Sequence, residues 1–112
     1  MAISNKMYPM TMQTLASSAM TGSYVPFDAA GLSNNIQILK VKSTSNVNAT
    51  ISFDGVNDHD FIAAGSGDVM DVTTNSRNNL GEGCSFAKGQ VIYLKAAAGT
   101  GNYYLIGYSQ ST

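Results

Sequence analysis

The sequence predicts an all-β protein: an antiparallel β-sandwich, jelly-roll-like, of about seven or eight strands. Three observations predict it. Apolar residues alternate with polar ones at period two in several short runs, most cleanly in ATISFD at residues 49–54. Turn residues (Gly, Asn, Asp, Ser) interrupt the chain every eight to twelve positions or so, the spacing of a sandwich or small barrel. No stretch carries a sustained 3.6-residue apolar period, so no helix is expected.

Met1–Met20 holds five of the six Met residues and is interrupted by Pro9. It is expected as an extended N-terminal arm with a short strand near Gln13–Ala16, ahead of a single sandwich domain over residues 21–112. Met is flexible and polarisable, which suits an adaptable contact surface. Three states fit this segment: an arm that orders on a neighbour, a poorly ordered tail, or an arm folded over its own core. In TGSYVPFDAAGLSNN, Tyr24, Val25 and Phe27 can anchor a short strand, and Pro26 confines it to an edge.

Ile36–Ser43 is the first long strand. Gln37, Leu39 and Val41 share one face; Ile36, Ile38, Lys40 and Lys42 share the other. After a polar turn, Ala49–Asp54 is expected to pair back, with Ile51 and Phe53 inward and Thr50, Ser52 and Asp54 outward. GVNDHD follows, the densest polar constellation: Asp54, Asn57, Asp58, His59 and Asp60. A hard cation needs several oxygens converging from a tight loop. Here Gly55 comes too early for a calcium loop and no distal Glu follows. Asp and Asn bond their own backbone in turns, so a solvated loop without metal is expected. His59 has no nucleophile near it in sequence.

Asp60–Ala64 and Val69–Thr73 are short strands around Gly65-Ser66-Gly67-Asp68. That Gly-rich turn lacks the Lys-Ser/Thr and the helix of a phosphate cradle. Asn75–Gly83 is a long loop holding Arg77, the only Arg, and Cys84–Ala87 is another short strand. Val91–Ala96 and Asn102–Tyr108 flank Ala97-Ala98-Gly99-Thr100-Gly101 and are expected to close the fold as a hairpin. Within it Tyr103, Leu105 and Gly107 share one face, and Tyr104, Ile106 and Tyr108 the other. Both faces are largely apolar, so one is expected in the core and one in a subunit contact.

Composition narrows the function. Charged residues are 12% of 112, about half the usual share, and net charge is −1. Without a basic patch, nucleic-acid binding loses its electrostatic drive. No apolar run approaches the ~18 residues of a membrane helix, and the N-terminus has no apolar core of a signal peptide. Synthesis in a cytoplasm is therefore expected. The single Cys allows no intrachain disulfide. The absence of Trp, with that single Cys, rules out the Cys–Trp–Cys hallmark of true immunoglobulin domains. No triad, paired carboxylates or metal cluster sits at workable spacing, so neither enzymatic activity nor a cofactor is expected.

Two runs, ISFDGVNDHDFIAAG and KGQVIYLKAAAGTGNYYLIGYS, resemble small virion proteins of tailed bacteriophages. The shared pattern is a strand ending in SFDG, a short apolar run ending in Gly, and a final hairpin of the form K-G-x-x-[IV]-Y-[LV]-K-x-x-A-G-x-G-x-x-Y-[LV]. Size and composition are similar to capsid cement (decoration) proteins of short-tailed phages. The resemblance spans roughly residues 50–109 and leaves out the arm. It implies a non-enzymatic protein on the capsid exterior that self-associates as a dimer or trimer and binds the major capsid protein. Met7, Tyr8, Met10, Met12, Arg77, Tyr103, Tyr104 and Tyr108 are the candidate contact residues. A carbohydrate- or receptor-binding module of a tail or fibre is the alternative, with exposed Tyr rings stacking on sugars; a neck or tail assembly protein shares such folds.

Overall fold

In the computed structural model of this chain, described over residues 8–71 and 85–109, two antiparallel sheets face each other. Met7, Arg77, Cys84 and the Asn75–Gly83 loop lie outside the described residues. Nine strands run β1 (Tyr8–Pro9), β2 (Gln13–Ala16), β3 (Tyr24–Pro26), β4 (Ile38–Ser43), β5 (Ala49–Ser52), β6 (Asp60–Ile62), β7 (Gly67–Asp71), β8 (Tyr93–Lys95) and β9 (Asn102–Ser109). Sheet A has the order β1-β9-β4-β7, with β2 beside β1 on the same flank of β9. Sheet B has the order β3-β8-β5-β6. A single 3₁₀ turn, Ser17–Ala19, follows β2.

The first segment folds over its own core along residues 8–20. Tyr8 pairs with Ser109 and Pro9 with Tyr108; Gln13 pairs with Leu105 and Ala16 with Asn102. Between them the register shifts by one residue, so Thr11 and Met12 together oppose Ile106. That is a β-bulge, and β1 and β2 are one strand broken by it. Met20 ends the segment inside the core.

The core is built from one phase of the period-two pattern in each sheet. Leu39 and Val41 of β4 and Tyr103 and Leu105 of β9 meet Ile51 of β5 and Leu94 of β8, all fully buried. Phe27, Leu32, Ile36 and Ile92 extend this cluster. Each such side chain contributes about 1.5–3 kcal/mol by leaving water, which is why the apolar positions of a strand all turn to one side. Lys42, out of phase with them, stays in solvent.

Two expected pairings are corrected. Val91–Ala96 and Asn102–Tyr108 do not form a hairpin: β8 lies in sheet B and β9 in sheet A. Nor does Ala49–Asp54 pair back on β4, since β5 lies in the opposite sheet. Both connections are arches, and they stack on each other. Asn46 N–H donates to Thr100 O (3.2 Å), and Thr100 N–H donates to Asn46 Oδ1 (3.0 Å). Ser17 N–H donates to Gly101 O (3.0 Å), and the Ser17 and Ser45 hydroxyls bond at 2.8 Å. The loop groups are thus satisfied by the neighbouring arch, not across a hairpin. Gly101 (φ +87°) turns the chain where a Cβ would collide with Thr44 O. Among the described strands from β3 onward, only β5 and β6 are consecutive in one sheet.

Ser52 is a smaller correction. Expected outward, it keeps that phase, opposite Tyr93, yet is fully buried. Its Oγ accepts the Gly55 N–H (2.9 Å) and donates to Asp54 Oδ1 (3.0 Å).

Candidate functional site

With the inner faces spent on the core, contact function falls to the two outer faces, and these differ. On sheet A the registers align Lys42 with Tyr104, Lys40 with Ile106, and Ile38 with Tyr108. Val69 of β7 continues the Lys40 row, and Thr14 of β2 sits beside Tyr104. The result is an aromatic and aliphatic strip with two Lys among it. Val69 is 57% exposed, and Ile38, Tyr104, Ile106 and Tyr108 are partly exposed. Lys40 Nζ lies 5.4 Å from the centre of the Tyr108 ring, within cation–π range. Asn102 Nδ2 donates to the Tyr104 hydroxyl at 3.3 Å. These interactions join residues of the face to one another.

The outer face of sheet B is strapped. The loop of residues 53–59 crosses it, and a Cβ on Gly55 (φ +74°) would press on the Tyr93 ring at 3.2 Å. The strap is held at its far end by Asp58, which accepts from the Tyr24 hydroxyl and from Lys95 Nζ (3.0 Å). Lys95 in turn lies 4.7 Å above the Tyr24 ring. The Tyr24 hydroxyl, then Lys95, lower the Asp58 carboxyl pKa; the same carboxylate raises the pKa of the Tyr24 phenol and of Lys95.

The Asp/His constellation holds this strap in shape. Asp54 Oδ1 accepts the N–H groups of Val56 and Asn57, both at 2.8 Å, and Oδ2 accepts Asn57 Nδ2 at 2.9 Å. The Asn57 and Val56 N–H groups, which favour the charged form, hold Asp54 well below the usual carboxylate range. His59 Nδ1 accepts the Phe53 N–H at 3.0 Å. The oxygens that might have held a cation are occupied by the loop's own donors. Among the described residues no three His, Cys, Asp or Glu side chains converge as a metal site.

The candidate contact residues separate accordingly. Tyr104 and Tyr108 share the open face of sheet A. Tyr103 is a correction: it is fully buried, and its hydroxyl donates to Val47 O at 2.9 Å, so it makes no outside contact. Tyr8 and Met10 lie in register with core-facing Ser109 and Gly107, on the inner side of sheet A. Met12, 50% exposed, sits at the bulge. Ile38, Lys40, Ile106 and Val69, not among the expected contact residues, complete the open face. Their signal was the outward phase of their strands, but only the pairing of β4 with β9 and β7 sets them side by side.

Among the described residues no helix is long and apolar enough to cross a membrane. Compared with protein-family models, curated proteins and solved structures, the chain matches none. Its own geometry defines the class: a two-sheet antiparallel β protein with one outer face strapped and the other left open by the described residues.

Proposed function

We propose that this protein is a structural virion component that binds assembled capsid subunits and stabilises the shell, in the manner of the phage cement proteins its sequence resembles. The observation that carries this reading is the difference between the two outer faces. Sheet A offers a broad, pleated strip of Tyr104, Tyr108, Ile38, Ile106 and Val69 with Lys40 and Lys42. Aromatic and aliphatic side chains on a rigid sheet suit a protein–protein contact, where such residues supply most of the binding energy.

The strand order supports it further. With β1 and β2 counted as one strand, sheet A runs first, eighth, third, sixth and sheet B second, seventh, fourth, fifth. That order supports the jelly-roll reading, an architecture that recurs in viral capsid proteins and in lectins. Fold alone does not assign function; what favours a contact role is the open face. A protein that binds only the assembled shell stabilises that shell by mass action and needs no catalytic group.

The test is co-sedimentation with expanded, emptied capsids of short-tailed phages. The expected result is pelleting with the capsids and a higher temperature of shell disruption. Tyr104→Ala and Tyr108→Ala should each weaken both effects. Protein that stays in the supernatant, while a glycan array gives a signal lost in the same variants, would overturn the proposal in favour of a carbohydrate-binding module.

A further inference from the structure

We infer that two copies of this chain pair edge to edge through β2, antiparallel about a two-fold axis at Leu15. The pairing is independent of the capsid reading. It follows from how the four sheet edges are treated. An exposed edge strand presents unpaired N–H and C=O groups to any other strand. Three edges, and half of the fourth, carry a block. In β6 the Phe61 N–H donates to the carboxylate of Asp60 (2.8 Å). In β7 the Val69 N–H does the same with Asp68 (2.9 Å). The chain's two Pro residues sit on the other flank, in β3 and β1. Phe27 N–H bonds Ile92 O and Met10 N–H bonds Gly107 O. The alternation of a ladder then turns the Pro26 and Pro9 nitrogens outward, where a donor is missing.

Among the described edge strands, β2 alone has no such device. Ser17 N–H bonds Gly101 O, so Leu15 and Gln13 bond β9, while Thr14 and Ala16 turn their N–H and C=O groups outward. That pattern is self-complementary. With Leu15 opposite Leu15 of the second copy, Thr14 of each chain exchanges two hydrogen bonds with Ala16 of the other.

Two further observations favour a second copy as the occupant. Leu15 lies on the core side of the sheet opposite fully buried Tyr103, yet stays partly exposed; a facing Leu15 would complete its burial. Charge does not oppose the approach: Asp28 is the only charged residue between positions 8 and 39, and Lys88, of opposite sign, lines the cleft beside the strand with it. The edge is also flanked by a cleft of about 670 Å³ between residues 11–14 and the loop of residues 27–33, which leaves room beside the strand.

Sedimentation velocity from micromolar to millimolar protein should show a reversible dimer. Thr14→Pro removes one outward N–H while sparing the ladder to β9, as Pro9 and Pro26 do, and should weaken the dimer at least about tenfold. In the unmodified chain the Thr14 and Ala16 amides should be protected from hydrogen exchange at high concentration and exchange freely on dilution. A chain monomeric throughout would overturn the proposal. So would a dimer whose Thr14 and Ala16 amides exchange freely, or a folded Thr14→Pro variant that dimerises as well as the parent. Should Thr14→Pro fail to fold, the exchange of these two amides in the parent chain decides.

Discussion

Adjacent tyrosines on β9 have opposite fates. Tyr103 is wholly enclosed and its hydroxyl is tied to Val47 O. Tyr103→Ala should cost about 3–5 kcal/mol in urea unfolding, the sum of lost burial and a cavity. Tyr103→Phe removes only the hydrogen bond and should cost about 0.5–1.5 kcal/mol. Tyr104 projects from the other side of the same strand. Tyr104→Ala should leave the midpoint nearly unchanged, because no core volume is lost. Equal losses for the two Ala variants would mean that the outer face is covered in the free protein.

At the level of the element, the strap of residues 53–59 owes its form to carboxylates. Asp54 and Asp58 both have depressed pKa values in the folded chain. A depressed carboxylate contributes stability that is present above its unfolded pKa, near 4, and lost as pH falls through the folded pKa. The strap should therefore hold at neutral pH and loosen progressively below about pH 4. Amide exchange at Val56 and Asn57, corrected for the intrinsic pH dependence, should report this. Asp54→Ala should produce the same loss of protection at pH 7. Protection there that is indifferent to Asp54 would assign the loop's shape to its packing on Tyr93 instead.

At the scale of the whole molecule, the N-terminal strands complete sheet A. Deleting residues 8–16 strips β9 of its outer partners and removes Met10 and Leu15 from the margin of the core. The melting temperature should fall by several degrees or more, as for any change of a few kcal/mol in a domain of this size. An unchanged value would show that β1 and β2 contribute nothing to the free domain. The open face makes a separate prediction. Lys40 and Lys42 lie in its rows, so on the proposed capsid-binding function Lys40→Glu with Lys42→Glu should slow association with capsids and alter its salt dependence while sparing the fold. The measurement is the capsid on-rate at two ionic strengths.

Much of this architecture is legible in the chain. Alternation in ILKVKS and ATISFD separates inner from outer residues, because an apolar side chain gains only on the dry side of a sheet; in NYYLIGYS it sorts the residues into two faces without saying which is inner. Pro26 marks an edge, and the Asp54–Asp60 run reads as a loop that bonds itself; both follow from rules that act within a few residues. What the sequence by itself determined is therefore the class of the fold, most strand positions and, for strands with one polar side, which side faces the core. It could not say which sheet a strand joins. Val91–Ala96 and Asn102–Tyr108 have the local features of a hairpin, yet they separate into opposite sheets, because the loop's polar groups find better partners in Ser17 and Asn46, distant in sequence. The same holds for the surface. Tyr103 and Tyr104 are equivalent as neighbours in a chain, and only the packing of sheet B against one side of β9 makes the first a core residue and leaves the second outside. The strapped face, the open face and the unblocked edge at β2 all depend on contacts between segments remote in sequence, and those contacts exist only once the sheets have formed.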